Sequence, residues 1–145
     1  MSQSVDEVLY SASLYSDGQI YRLLKLPPNA VTLAAGLVAE IGLPYCALVA
    51  DKDEVSLMIP DEARGAYSAR LRDAEVSERR YRLITLDAVL ASDLVGLMAR
   101  IAGALALAGI PMLTFAAYSR DHLFVSNDDF DKAMRTLQTL QEERA

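Results

Sequence analysis

Ser92-Asp93-Leu94-Val95-Gly96-Leu97-Met98-Ala99-Arg100-Ile101 opens a segment that runs on through Gly109-Ile110-Pro111 to Ser126 and contains a complete supersecondary unit. Leu94, Leu97, Met98, Ile101, Leu105 and Ala108 recur at helical spacing, with Ser92 or Asp93 placed to cap the start. Gly109 stops the helix, because glycine takes the left-handed conformation of a helix end without steric penalty. Ile110 to Tyr118 reads as a strand, Ser119-Arg120-Asp121 as a turn and His122 to Val125 as a returning strand. The unit is a helix followed by a β-hairpin.

The same unit occurs earlier in the chain. Gly42-Leu43-Pro44 stands 67 residues before Gly109-Ile110-Pro111. At that offset Tyr45 to Ala50 falls on Met112 to Ala117, Val55 to Ile59 on the second strand, and Asp61 on Asp128, where a further helix starts. A repeat of this length means two copies of one supersecondary unit.

Working outward, Val8 to Tyr15 reads as a strand joined through an Asp17-Gly18 turn to a second strand, Gln19 to Leu26. Pro27-Pro28 ends it, and Asn29 caps a helix from Ala30 to Ile41 with Val31, Ala34, Leu37, Val38 and Ile41 on one face. Pro60-Asp61 opens a helix through Arg72, Asp73 to Arg79 is a charged linker, and Tyr81 to Leu86 is the next strand. Asn127 or Asp128 caps a last helix to Glu143, and the polar tail Gln141 to Ala145 is expected to fray. The expected class is α+β, with two ferredoxin-like βαββ(α) units at residues 8–73 and 80–143, an antiparallel sheet and helices on one face. Each half lacks a fourth strand in this reading. Val8–Tyr15 fills that slot in the first half, while Tyr81–Leu86 keeps an open edge whose burial calls for a homo-oligomer.

Composition narrows the function. The 145 residues are 52% hydrophobic, enough for a real core. A net charge of −6 argues against a nucleic-acid partner, whose affinity comes from a basic surface. The single cysteine, Cys46, excludes an internal disulfide framework and fits a reducing compartment. Met1 to Glu7 lacks the basic region and apolar core of a signal peptide, and the most apolar run, Leu94 to Phe115, is interrupted by Arg100 and Pro111. A soluble cytoplasmic protein without a membrane segment is expected.

The run Ser92 to Ile101, then Ala106 to Pro111, then Tyr118 to Val125 resembles the second unit of tandem ACT-domain proteins. These small bacterial proteins are similar to cellular arginine sensors and to the regulatory ends of aspartate kinases. The resemblance covers Tyr81 to Leu140, while the first half rests on the internal repeat. It implies an ACT-type regulatory or sensor protein that binds an amino acid at an interface between units. It points to Asp93, Leu94, Val95 and Gly96 before the helix, to Ile110, Pro111 and Met112 at the next strand, and more weakly to Tyr118 through Asp121.

Physical chemistry favours the same loop. A helix N-terminus exposes N–H donors that suit a carboxylate, Gly96 leaves room for a ligand, and Asp93 can meet an ammonium group. Ser92-Asp93 is also an ordinary cap, and Gly96 can serve helix packing alone. The connection Asp87 to Ser92 is longer than Pro27 to Asn29, so only one half is expected to keep a roomy pocket.

No catalytic set emerges. His122 is the sole histidine, and Cys46 lies in an apolar strand that raises a thiol pKa. The pair makes no zinc cluster, and no Lys-Ser/Thr follows Gly103 or Gly109 to form a phosphate loop. No cofactor, metal or enzyme activity is expected. The alternative reading is a protein-interaction or scaffold module with a vestigial pocket.

Overall fold

The computed structural model describes residues 3–143. In chain order its elements are α1 (Val5–Ser11), β1 (Ser13–Tyr15), β2 (Tyr21–Leu26), α2 (Val31–Ile41), β3 (Ala47–Ala50), β4 (Val55–Pro60) and α3 (Asp61–Ala66). There follow β5 (Glu75–Val76), β6 (Tyr81–Asp87), α4 (Leu97–Leu107), β7 (Leu113–Ala116), β8 (Asp121–Ser126) and α5 (Phe130–Glu142). They divide into two compact units, one of residues 17–81, the other of the described residues up to Ser16 together with those from Arg82 onward.

In the unit of residues 17–81, β2 pairs antiparallel with β4 on one side and β5 on the other, and β3 pairs with β4. The resulting order β5-β2-β4-β3 is a complete ferredoxin-like sheet. Alternate residues Leu24, Leu26, Val55, Leu57 and Ile59 pack with Ala34 and Leu37 of α2, as a strand period of two and a helix stripe require. The segment Asp73–Arg79, read as a linker, supplies the missing fourth strand. Ser77 secures it by donating its N–H to the Leu23 carbonyl at 2.8 Å and accepting the Leu23 N–H on Oγ at 3.1 Å. The helix expected to reach Arg72 stops at Ala66, just after Gly65. Glycine is a poor helix former, and the turns that follow bury Leu71 while bringing the chain back to β2.

The other unit has the order β1-β6-β8-β7. Val8–Tyr15 is therefore neither one strand nor a partner of Gln19–Leu26. Its first part is the helix α1, and β1 pairs with β6 through Ser13↔Asp87, Leu14↔Leu86 and Tyr15↔Thr85. The helix wins because Ser4 accepts the Glu7 N–H at 3.1 Å, Asp6 and Glu7 favour the first turn, and Val5, Val8, Leu9 and Ala12 share one face. The edge at Tyr81–Leu86, expected to be open, is covered by β1, so the argument for association from that edge falls. Asp17-Gly18 does form a turn, with the Gln19 N–H donating to Asp17 Oδ1 at 3.0 Å, but it leads from β1 to β2 without pairing them.

Ile84, Leu86, Leu123 and Val125 form the helix-facing side of this sheet, against Leu97, Ile101 and Leu105 of α4 and Ala133, Leu137 and Leu140 of α5. Gln141, expected to fray, lies in α5 and donates from Nε2 to the Leu9 and Ala12 carbonyls at 3.0 and 2.5 Å. The rest of the expected tail that lies beyond Glu143, and Met1 and Ser2 from the leader reading, fall outside the described residues. The 67-residue repeat survives in three dimensions: Gly42 and Gly109 both carry positive φ, at 66° and 75°.

Candidate functional site

The long connection between β6 and α4, residues 88–96, and the β7–β8 turn meet above the start of α4. Strand geometry brings β6 and β8 side by side, so the end of β6 lies beside the beginning of β8. Asp87 Oδ1 accepts Arg120 Nε at 3.0 Å, and the Leu90 N–H donates to the Ser119 carbonyl at 2.7 Å. The turn is closed by the Ala117 N–H donating to the Arg120 carbonyl at 2.9 Å. Between loop, helix start and turn lies a cavity of about 360 Å³. Leu90, Ala91, Ser92 and Leu94 form one wall, Gly96 to Ala99 the floor, and Ala117 to Asp121 the far wall.

Local sequence explains the shape. Ser92 and Asp93 form a turn closed by the Leu94 N–H donating to the Ala91 carbonyl at 3.1 Å, so the helix starts at Leu97 and neither residue caps it. Gly96 holds that place at φ 95°, with no side-chain cap on the helix. The left-handed backbone there, which L residues adopt at a penalty, is what requires glycine. Room is not the reason, since a Cβ at Gly96 would meet only Val5 Cγ2, at an ordinary 4.0 Å.

The expected site residues separate into two groups. Leu94 and Gly96 line the cavity together with Tyr118 to Asp121. Asp93 is exposed on the outer turn and Val95 is 84% exposed, so neither is part of the cavity wall. Ile110, Pro111 and Met112 follow the opposite end of α4, an 11-residue helix, which puts them about 16 Å along its axis from Gly96. Ile110 is buried in the core there, with Met112 packed against the same cluster. Within this unit the two ends of the expected site do not meet.

Arg120 and Asp121 belong to the stretch to which the resemblance points more weakly, and charged residues flanking a hairpin turn beside a long loop are a further signal for them. They place a guanidinium and a carboxylate on the same wall, against Leu90, Leu94 and Met98. The arrangement can hold a small zwitterion with an apolar portion. Next to the cavity His122 Nδ1 lies 2.8 Å from Thr85 Oγ1. Burial pulls the imidazole pKa below its ordinary value, Asp121 opposes the fall and Arg120 adds to it. In the other unit burial pushes the Cys46 thiol up, away from the reactive thiolate. Among the described residues no group of three or more His, Cys, Asp or Glu could hold a metal ion, and no helix is long and apolar enough to cross a membrane.

Residues 76–139 match the family model of the ACT domain. No curated protein matches the chain in sequence. A crystal structure of a Vibrio cholerae protein of unknown function, described as a possible transport protein, superposes with a TM-score of 0.74 at 25% identity, over 95% of this chain and 96% of that one. Clostridium acetobutylicum aspartate kinase gives 0.71 at 13% identity, over 91% of this chain and 35% of the enzyme. The ligand-free regulatory subunit of aspartate kinase from Thermus thermophilus gives 0.67 at 12% identity, over 91% and 98%. At such identities the two kinase structures speak for the fold alone. The match to the ACT domain covers residues 76–139, and the two ferredoxin-like sheets of the same strand order are consistent with a tandem ACT-domain architecture.

Proposed function

We propose that this chain is a regulatory protein that binds a free amino acid at the cavity between residues 88–96, the start of α4 and the β7–β8 turn. The observation that carries the reading is the cavity itself, where Arg120, Asp121 and an uncapped helix start face apolar side chains. A carboxylate suits Arg120 and the helix start, an ammonium group suits Asp121, and Leu90, Leu94 and Met98 suit a side chain. Asp93 and Val95 stand at the outer rim of this site. The exposed Pro111 and half-buried Met112 join it from a second copy of the chain, with the buried Ile110 supporting them from within that copy, which is how a homo-oligomer enters the proposal. Light scattering that returns a mass near 15.8 kDa would remove that part. The reading includes no catalytic step, and it keeps a cytoplasmic setting.

A melting screen over the twenty amino acids tests the proposal. A binder present at about a hundred times its Kd stabilises the protein by about 2.7 kcal/mol, a shift of several degrees. Met98→Trp should abolish the shift by filling the cavity while leaving the backbone unstrained, which a Gly96 substitution would not. The interaction-module reading is favoured by one feature: Val89, Val95 and Tyr118, at 61, 84 and 105% exposure, lie on the same loop and turn. No shift with any amino acid would make that reading the better one.

A further inference from the structure

The wall of the cavity is held from outside by the segment that precedes α1. Gln3 donates from Nε2 to the Val89 carbonyl at 2.8 Å and accepts the Ala91 N–H on Oε1 at 2.6 Å. A primary amide has one donor face and one acceptor face, and Gln3 uses both on one short stretch of loop. Between these two bonds Leu90 turns the other way and donates to Ser119. Residues 89–91 thus lie as an extended strip pinned alternately to the N-terminal segment and to the β7–β8 turn. The helix α1 that follows this segment is tied down along its length. Asp6 Oδ1 accepts Arg100 Nη1 at 2.8 Å, Val5 packs at the edge of the core, and Gln141 holds the far end of α1 through the Leu9 and Ala12 carbonyls.

Ala88, Leu90 and Leu94 also pack against the core, so the side chains of the loop are held at three points, while the backbone at Val89 and Ala91 is held by Gln3. Among the described residues, the other backbone bonds of residues 88–96 are the local ones from Ala88 to Leu86, from Leu94 to Ala91 and from Arg100 to Gly96. Ala91 is itself cavity wall, so a backbone released at Val89 and Ala91 loosens the wall on either side of Leu90, which Ser119 still holds. Binding to a mobile wall must order it first, and that ordering subtracts from affinity.

We infer that Gln3 is a positioning residue for the cavity: its side-chain amide holds residues 89–91 in the binding shape, so that affinity for an amino acid depends on a residue that does not line the site. The inference rests on the amino-acid reading above. Removing two hydrogen bonds of ordinary strength predicts a loss of about tenfold in affinity for Gln3→Ala. Gln3→Glu keeps an acceptor for the Ala91 N–H and loses the donor to Val89, so it should fall between the two.

The experiment uses the full chain and, as probe, a mixture of the twenty amino acids. It reads two quantities on wild type, Gln3→Ala and Gln3→Glu: hydrogen exchange at the Ala91 amide without the mixture, and the melting shift on adding it. Expected are faster Ala91 exchange in Gln3→Ala, a smaller shift, and partial recovery of both in Gln3→Glu. Unchanged exchange at Ala91 in Gln3→Ala would show that the amide does not hold the loop, and would overturn the inference. Faster exchange with an undiminished shift would overturn it as well, since the loop would then be held but not for binding. No shift in wild type would remove the amino-acid reading and the positioning role together, an outcome distinct from the other two.

Discussion

The chain leaves the first strand of each unit for the first helix in two different ways. After β2 the passage is residues 27–30, where Pro28–Ala30 form a single tight turn and the Ala30 N–H donates to the Pro27 carbonyl at 3.0 Å. After β6 it is residues 88–96, more than twice as long, ending at a left-handed Gly96. The prolines make the short passage stiff, with fixed φ and no donors of their own. The long passage instead leans on distant groups, Ser119 on one side and Gln3 on the other. Strand order and helix packing are common to both units, and the cavity lies at this point of difference. A duplicated scaffold keeps its core and varies a loop, and the variable loop is where a ligand site is to be sought.

The largest expected effect concerns what the units share. Leu37 of α2 and Ile101 of α4 are both fully buried against their sheets. Leu37→Ala and Ile101→Ala should each destabilise the protein by about 2–5 kcal/mol in denaturant melts. A value below about 1 kcal/mol at either site would mean that its helix is not packed as described, and the comparison would lose its common term.

A smaller effect sharpens the difference. Gly96→Ala must place a side chain at φ 95°, and should destabilise by about 1–2 kcal/mol. Ala30, which holds the corresponding place before α2, has φ −89° and already carries a side chain. Ala30→Gly should lose less, about 0.4–1 kcal/mol, mostly by freeing the unfolded chain. Equal losses at the two positions would show that the helix starts are not distinguished by backbone conformation.

The smallest effect is on pH dependence. His122 belongs to the unit with the long loop, and the residue 67 positions earlier is Val55, which does not titrate. Its pKa is lowered by burial, with Asp121 raising and Arg120 lowering it, so folding favours the neutral ring. That contribution is complete above the unfolded value of about 6.5 and is lost as pH falls through the lower folded value. Stability measured across that range should slope less in His122→Gln than in wild type. An unchanged slope would assign the acid loss to other groups.

Much of the fold was legible in residues 92–126, because a helical apolar stripe, a stopping glycine and a hairpin turn are local signals. The elements that were not legible depend on distant partners. β5 is two residues in a charged segment and exists only because β2 offers an edge to Leu24↔Val76 and Lys25↔Glu75. β1 pairs with β6, from Ser13 to Asp87, and nothing within a local window announces such a partner. Val8 to Tyr15 looks strand-like by composition, and the signal that corrects it, Ser4 followed by Glu7, lies just upstream. At the site, Leu94, Gly96 and the turn at Tyr118–Asp121 were within reach of the pattern. Ile110 to Met112 were not separable from Gly96 by sequence, since residues at the two ends of one helix look close in the chain and are a helix length apart in the unit.

The most direct test is residue-resolved NMR of the amide groups on titration with the twenty-amino-acid mixture. The account predicts saturable shifts concentrated at Leu90–Ala99 and Ala117–Asp121, with the residues from Pro28 to Leu33 at the other helix start unmoved. Saturable shifts centred on residues 28–33, or none anywhere, would contradict it.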